Sequence, residues 1–278
     1  FIGTGSIGKD QQSDQRSYRK AEYTVNGDSI GTDSFVTSLL YDYLNIDRLI
    51  LIGTVKSMWE EVYVNFATKR NITLNEEYWL KLADWTDSGD YQTDTNSFDF
   101  SELEQVLGEG SKIRLIPYGL NSDEHWRIFD ILTEVCEQLP EGEQVSLDIT
   151  HSFRSLPLFS LTAVMYLQDV LAQDIRVKGV YYGMLDVMRE FDNRAPIIDL
   201  SVIIKLQDWI KGAHALEKYG KGYLISDLLE RDSDKKVIIY FSDVLSLNYL
   251  HKIRLELTNF NTLANNIQEP IAKIILPK

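Results

Sequence analysis

The chain has 278 residues, is 44% hydrophobic, 11% aromatic and 25% charged, and carries a formal net charge of −14 with a pI near 4.7. This composition can bury a full core, and its negative surface argues against a grip on long nucleic acid through neutralised phosphates. The single cysteine, Cys136, excludes an internal disulfide and a Cys-x-x-Cys metal site, and no apolar run reaches the ~18 residues of a membrane helix. With no signal-peptide pattern at the start, the expectation is a cytoplasmic protein with no membrane partner.

The chain opens FIGTGSIG, where Gly3, Gly5 and Gly8 fit the G-x-G-x-x-G spacing of dinucleotide-binding proteins. That spacing has weight only if a strand precedes it and a helix starts inside it. Only Phe1 and Ile2 precede the first glycine, while a strand usually has about five or six residues, so truncation is expected here and is open at the other end. The following KDQQSDQRSYRKAEYTVNGDS has no helical spacing of apolar residues, which predicts a long polar loop and then a short strand, AEYTV. A nicotinamide-type site places a helix straight after Gly5, and none is expected. The first helix is predicted near GTDS, capped by Asp33 or Ser34 and carrying Phe35, Val36, Leu39, Leu40 and Tyr43.

RLILIG reads as a buried strand, and Ser57 can cap a helix carrying Trp59, Val62, Tyr63 and Phe66. DWTDSGDYQTDTNS reads as a loop or insertion, and KIRLIPYG as a strand. Asp123 opens a helix with Trp126, Phe129, Leu132 and Val135. QVSLDIT is a strand, SLPLFSLTAVMYLQDVLA a helix apolar on several sides, RVKGVYYGML a strand, and APIIDLSVII a further one. Strands alternating with helices predict an α/β fold with a mostly parallel sheet and flanking helices. From about Leu206 the pattern turns helical, with RDSDKKV as a charged loop between two helical regions. The predicted domains are 1–205 and a helical C-terminal segment, 206–278.

The most informative stretch is VSLDITHSFRSLPLFSLTAVMYL. A strand ends near Thr150, a turn holds His151, Ser152, Phe153, Arg154 and Ser155, and a long helix follows with Pro157 in its first turn. In open parallel sheets, ligands bind at the carboxyl ends of strands, and a helix N-terminus there favours an anion. Other strand ends repeat the theme: Gly3-Thr4-Gly5-Ser6, Gly53-Thr54-Val55-Lys56-Ser57 and Tyr182-Gly183. Thr32, where the first helix begins, joins the same set of candidate ligand contacts. The competing reading is structural: Thr150 and Ser155 cap the helix and Arg154 pairs with an acid. Asp148, His151 and Ser152 lie too close in sequence for a hydrolytic triad, whose members come from separate segments. His125, His151, His214 and His251 show no metal-ligand spacing, so no metal or cofactor is expected.

LDITHSFRSLP, with GTGS after the first strand and IGT after the next, resembles the CARF (CRISPR-associated Rossmann fold) domain of type III CRISPR proteins that usually carry a C-terminal HEPN ribonuclease. The resemblance covers about residues 1–205 and extends more weakly into LQDWIKGAHALEKYGKGYLISDLL. It implies a Rossmann-like sheet and a homodimer that binds a cyclic oligoadenylate across its two-fold axis and controls an attached effector. Contacts would come from the first-strand loop and the DITHSFRS loop of each subunit. Ser152 departs from the family's usual glycine. HEPN enzymes place an Arg shortly before a His, and none of the four histidines here has one at that distance. RNA is therefore expected as a substrate only where an effector domain is present. A metal-independent ring nuclease, with Arg154 or Lys56 stabilising charge, is the alternative. An NAD-dependent oxidoreductase or a DNA-binding regulator with a helical tail stands further off.

Overall fold

The computed structural model describes residues 2–4, 20–152, 155–171, 174–247 and 250–266, with side chains for 20–152, 155–171, 174–247 and 252–264. The chain divides into two compact units, Phe1–Leu200 and Ser201–Lys278. The stretch on the N-terminal side of the expected boundary at 205 thus belongs to the helical unit. Val202–Ile204, read as strand, open a helix directly after Asp199 ends the last strand.

The first unit is built on strands β1 (Ile2–Thr4), β2 (Ala21–Val25), β3 (Asp28–Asp33), β4 (Ile50–Gly53), β5 (Lys112–Leu115), β6 (Gln144–Asp148), β7 (Arg176–Gly183) and β8 (Arg194–Asp199). They form one sheet in the order β3-β2-β8-β7-β6-β1-β4-β5. Strands β7, β6, β1, β4 and β5 run parallel. Counted along the chain they give the order 3-2-1-4-5 from the β5 side, the doubly wound arrangement whose winding reverses between β1 and β6. β8 is antiparallel to β7, and the β2–β3 hairpin adds beside it. Asn26 and Gly27, at φ +53° and +91°, make that hairpin's two-residue turn, where both central residues need positive φ.

Helices α1 (Val36–Tyr43), α2 (Trp59–Lys69), α3 (Glu76–Ser88), α4 (Ser101–Leu107), α5 (Ser122–Glu137) and α6 (Leu156–Asp169) cover the sheet. Side chains alternate across a strand. Leu49, Leu51, Ile113 and Leu115 bury against Trp59, Val62, Phe66 and Leu103, while Ile50 and Ile52 join Ile128, Leu132, Leu156 and Ala163. The two clusters place α2 and α4 with one set, α5 and α6 with the other.

Four local expectations change. α3 takes in Asp84–Ser88, which polarity alone assigned to a loop, because Leu82, Trp85 and Thr86 recur at helical spacing and Leu82 and Thr86 are fully buried. Ser57 does not cap α2; its Oγ accepts the Thr54 N–H at 3.0 Å and tightens the turn. α5 is capped by Asn121, whose Oδ1 accepts the Glu124 N–H at 2.9 Å while its amide donates to Glu124 Oε1. Neither Asp33 nor Ser34 caps α1, whose N-cap is Phe35 with no side-chain capping bond; Asp33 Oδ1 instead accepts the N–H groups of Ser34 (2.7 Å) and Phe35 (3.0 Å) and shapes the turn ahead of the helix.

The second unit comprises α7 (Val202–Tyr219), α8 (Tyr223–Leu228), α9 (Asp232–Ser246) and α10 (Leu250–Asn266). Its core is Trp209, Leu216, Ile225, Leu229, Ile238, Phe241, Phe260 and Leu263. The expected RDSDKKV loop is mostly the first turns of α9. Asp232 and Asp234 sit at its positive end and favour helix over loop. Among the described residues, no helix is long and apolar enough to cross a membrane.

Candidate functional site

The reversal point between β1 and β6 is where an open α/β sheet leaves a crevice at its carboxyl edge. Ile2 is level with Asp148 on one side and Leu51 on the other, and Thr4 is level with Gly53. The ends of β1 and β4 and the turn after β6 therefore share that edge. Gly3 and Thr4 lie on β1, while Gly5, Ser6, Phe153 and Arg154 lie outside the described residues, as does any helix after Gly5.

β7 contributes through a direct tie. The Gly183 N–H donates to Thr150 Oγ1 at 2.9 Å, and a Cβ on Gly183 would stand 3.0 Å from the Tyr23 ring and 3.2 Å from Thr150 Cγ2. Glycine is thus what lets β7 close onto the turn, and half-buried Tyr182 precedes it on the same strand end. Thr32 is exposed near the end of β3, three residues before Phe35. It is level with Glu22 of β2, and β3 forms the sheet edge opposite β5.

Within the turn, polar groups divide between inward and outward duties. Asp148 is buried; its Oδ1 accepts the Thr150 N–H at 2.9 Å and its Oδ2 accepts the Thr37 hydroxyl of α1 at 2.7 Å. His151 is buried too and stacks on Phe35 with ring centroids 5.6 Å apart. Burial holds its imidazole below the ordinary histidine value, and the nearby Asp148 charge acts the other way. Ser152 Oγ donates to the Ile149 carbonyl at 2.9 Å, which closes the turn rather than a triad. Ser155 is exposed at the start of α6; its carbonyl accepts the Leu158 N–H and its hydroxyl makes no capping bond. Among the described residues of the turn, Ser155 is thus the exposed one, at the helix N-terminus that adds positive potential.

The β4 end is more closed than its sequence suggests. Thr54 and Ser57 are fully buried, and the Thr54 carbonyl accepts the Trp59 indole N–H at 3.0 Å. Lys56 Nζ donates to the Asp87 carbonyl at 2.6 Å, at the C-terminal end of α3. Sequence reading did not single out Thr37 and Phe35, which support the turn from α1. Their signal is weak because both read as ordinary helix-start residues. No group of three or more potential metal ligands occurs among the described residues.

Residues 5–186 match the family described as CRISPR system endoribonuclease Csx1, CARF domain, and residues 205–277 match CRISPR-associated protein MJ1674, second domain. A curated relative, CRISPR-associated protein MJ1674 of Methanocaldococcus jannaschii, is 36% identical over 280 residues, which covers 95% of this chain and 43% of the relative. The chain thus spans less than half the length of that relative. With the doubly wound sheet, the LDITHSFRSLP turn at its reversal point and a Csx1 CARF match over most of the first unit, the chain belongs to the CARF-domain family of CRISPR-associated proteins.

Proposed function

We propose that this chain is the sensing part of a cyclic oligoadenylate receptor in type III CRISPR defence, working as a homodimer that controls an attached effector. The observation that carries the reading is the β6–α6 turn: it lies at the sheet's reversal point, is tied to β7 by Thr150, and feeds a 14-residue helix whose N-terminus faces the crevice edge. Backbone N–H groups at such a terminus suit a phosphate, and Arg154 supplies a guanidinium from the same segment. Two copies would present two equivalent turns to one symmetric ring.

Calorimetry with cyclic tri-, tetra- and hexa-adenylate tests the reading. Saturable heat with one ring is expected; a folded chain that gives no heat with any ring overturns it. Chromatography of the ring after incubation is expected to show it intact. Linear product would instead make the chain a ring nuclease, with the ligand's 2′-hydroxyl as nucleophile and no metal required.

A further inference from the structure

We infer that Asp148 and Thr37 form a positioning clamp, which fixes the ligand turn to the first turn of α1 without touching the ligand. The inference rests on the receptor reading above for what the turn binds. Asp148 is a carboxylate at a strand end, 5% exposed, and two donors of different origin meet it. Its Oδ1 takes the Thr150 N–H and so sets the backbone path out of β6. Its Oδ2 takes the hydroxyl of Thr37, which is 1% exposed and 111 residues earlier in the chain. Thr37 is the second residue of α1, so the carboxylate also lies against the positive end of that helix.

The clamp has a second jaw. Phe35, immediately before α1, stacks on His151 at an interplanar angle of 21°. Asp33 in turn anchors this end of α1, accepting from Ser34, Phe35, Ser38 Oγ (2.5 Å) and the Asn65 amide of α2 (2.6 Å). The turn that faces the crevice is therefore held from beneath by one helix end that is itself fixed to its neighbour. A carboxylate so placed has both oxygens engaged inside the protein, which suits it to hold the turn and not to meet an anionic ligand.

The test separates this role from ordinary stability. Thr37→Val removes the hydroxyl and keeps the shape; Thr37→Ser keeps the hydroxyl; Ser111→Ala removes an equally buried hydroxyl that accepts the Leu49 N–H just before β5, at the opposite edge of the sheet. Ring affinity, measured well below the melting temperature with the ring that binds best, is expected to fall about tenfold in Thr37→Val and to return in Thr37→Ser. Amide exchange at 149–152 is expected to accelerate in Thr37→Val alone, while Ser111→Ala changes the melting temperature without changing affinity. The clamp is overturned if Thr37→Val leaves affinity and exchange as they were, or if Ser111→Ala matches it in both. Should Thr37→Val not fold, Thr37→Ala, which removes the same hydroxyl, is read by the same criteria against Thr37→Ser. If the unaltered chain binds no ring, the receptor reading falls, and the exchange rates at 149–152 alone decide the clamp.

Discussion

Arg154 and His151 stand three residues apart in one turn and are expected to do opposite work. Arg154→Ala should weaken ring binding by roughly 1.5–3 kcal/mol, the worth of a charge-assisted contact, and leave the melting temperature nearly unchanged. An unaltered dissociation constant would assign the guanidinium to structure. His151 is buried and held below its ordinary pKa by that burial. In the unfolded chain it takes a proton near pH ~6.5, but in the folded chain only at lower pH. Below ~6.5 the unfolded state therefore binds more protons, and stability falls as the pH drops through that window. His151→Phe keeps an aromatic ring beside Phe35 and has nothing to protonate. Thermal melts at pH 7 and 5.5 should show a smaller acid-side loss in this variant than in the parent, and equal losses would refute the assignment.

At the scale of elements, β5 ends the sheet and exposes a strand edge, which is a template for unwanted pairing. The N–H groups of Lys112 and Ile116 donate to the carbonyls of Leu49 and Gly53, which turns the backbone N–H of Ile113, though not its buried side chain, to the open edge. There Glu104 of α4 accepts the Ile113 N–H at 2.8 Å and pairs with Lys112 at 3.0 Å, while Arg114 donates to the Ile113 carbonyl at 2.9 Å. Glu104→Ala should cost about 1–2 kcal/mol in a denaturant melt and raise the apparent mass with concentration in light scattering; no change in either would show the edge to be protected by other means. The strands of the parallel core were legible because runs such as RLILIG are apolar and short. α3 was less so, since Asp84, Asp87 and Ser88 masked the spacing of Leu82 and Trp85. β3 was missed although Asn26-Gly27 marks its turn, because its largely exposed DSIGTD sequence lacks the alternation that betrays a half-buried strand. In the candidate site, LDITHSFRSLP located the turn, but the inward roles of Asp148 and His151 depend on Thr37 and Phe35, more than a hundred residues away. No local pattern encodes a contact of that range.

For the whole molecule, α6 bears on how many copies assemble. Leu156, Ser160, Ala163, Val164 and Leu167 bury one side of this helix, and Phe159 packs beside Ile52 and Leu132. The other side keeps Leu158 at 68% exposure, with Leu161 and Met165 half-buried at helical spacing from it, and Val170 and Leu171 exposed just past its end. On α5, the helix paired with α6, Trp126 is 67% exposed and meets Phe129, whose ring in turn meets Tyr166 of α6. A patch of this kind is a liability on a monomer and an asset at a two-fold interface, where the same side chains meet their own copies. Since α6 starts at the candidate ligand turn, pairing these helices would bring two turns toward one axis, and a ring held by both would stabilise the dimer by mass action. Light scattering at micromolar concentration should give about twice the 32.0 kDa chain mass. Leu158→Glu, a charge placed on the exposed stripe and away from the buried one, should shift the chain to monomer and weaken ring binding while the melting temperature of the monomer holds. A parent chain that stays monomeric with saturating ring would overturn the dimer model, and a Leu158→Glu variant that remains a dimer would place the interface elsewhere.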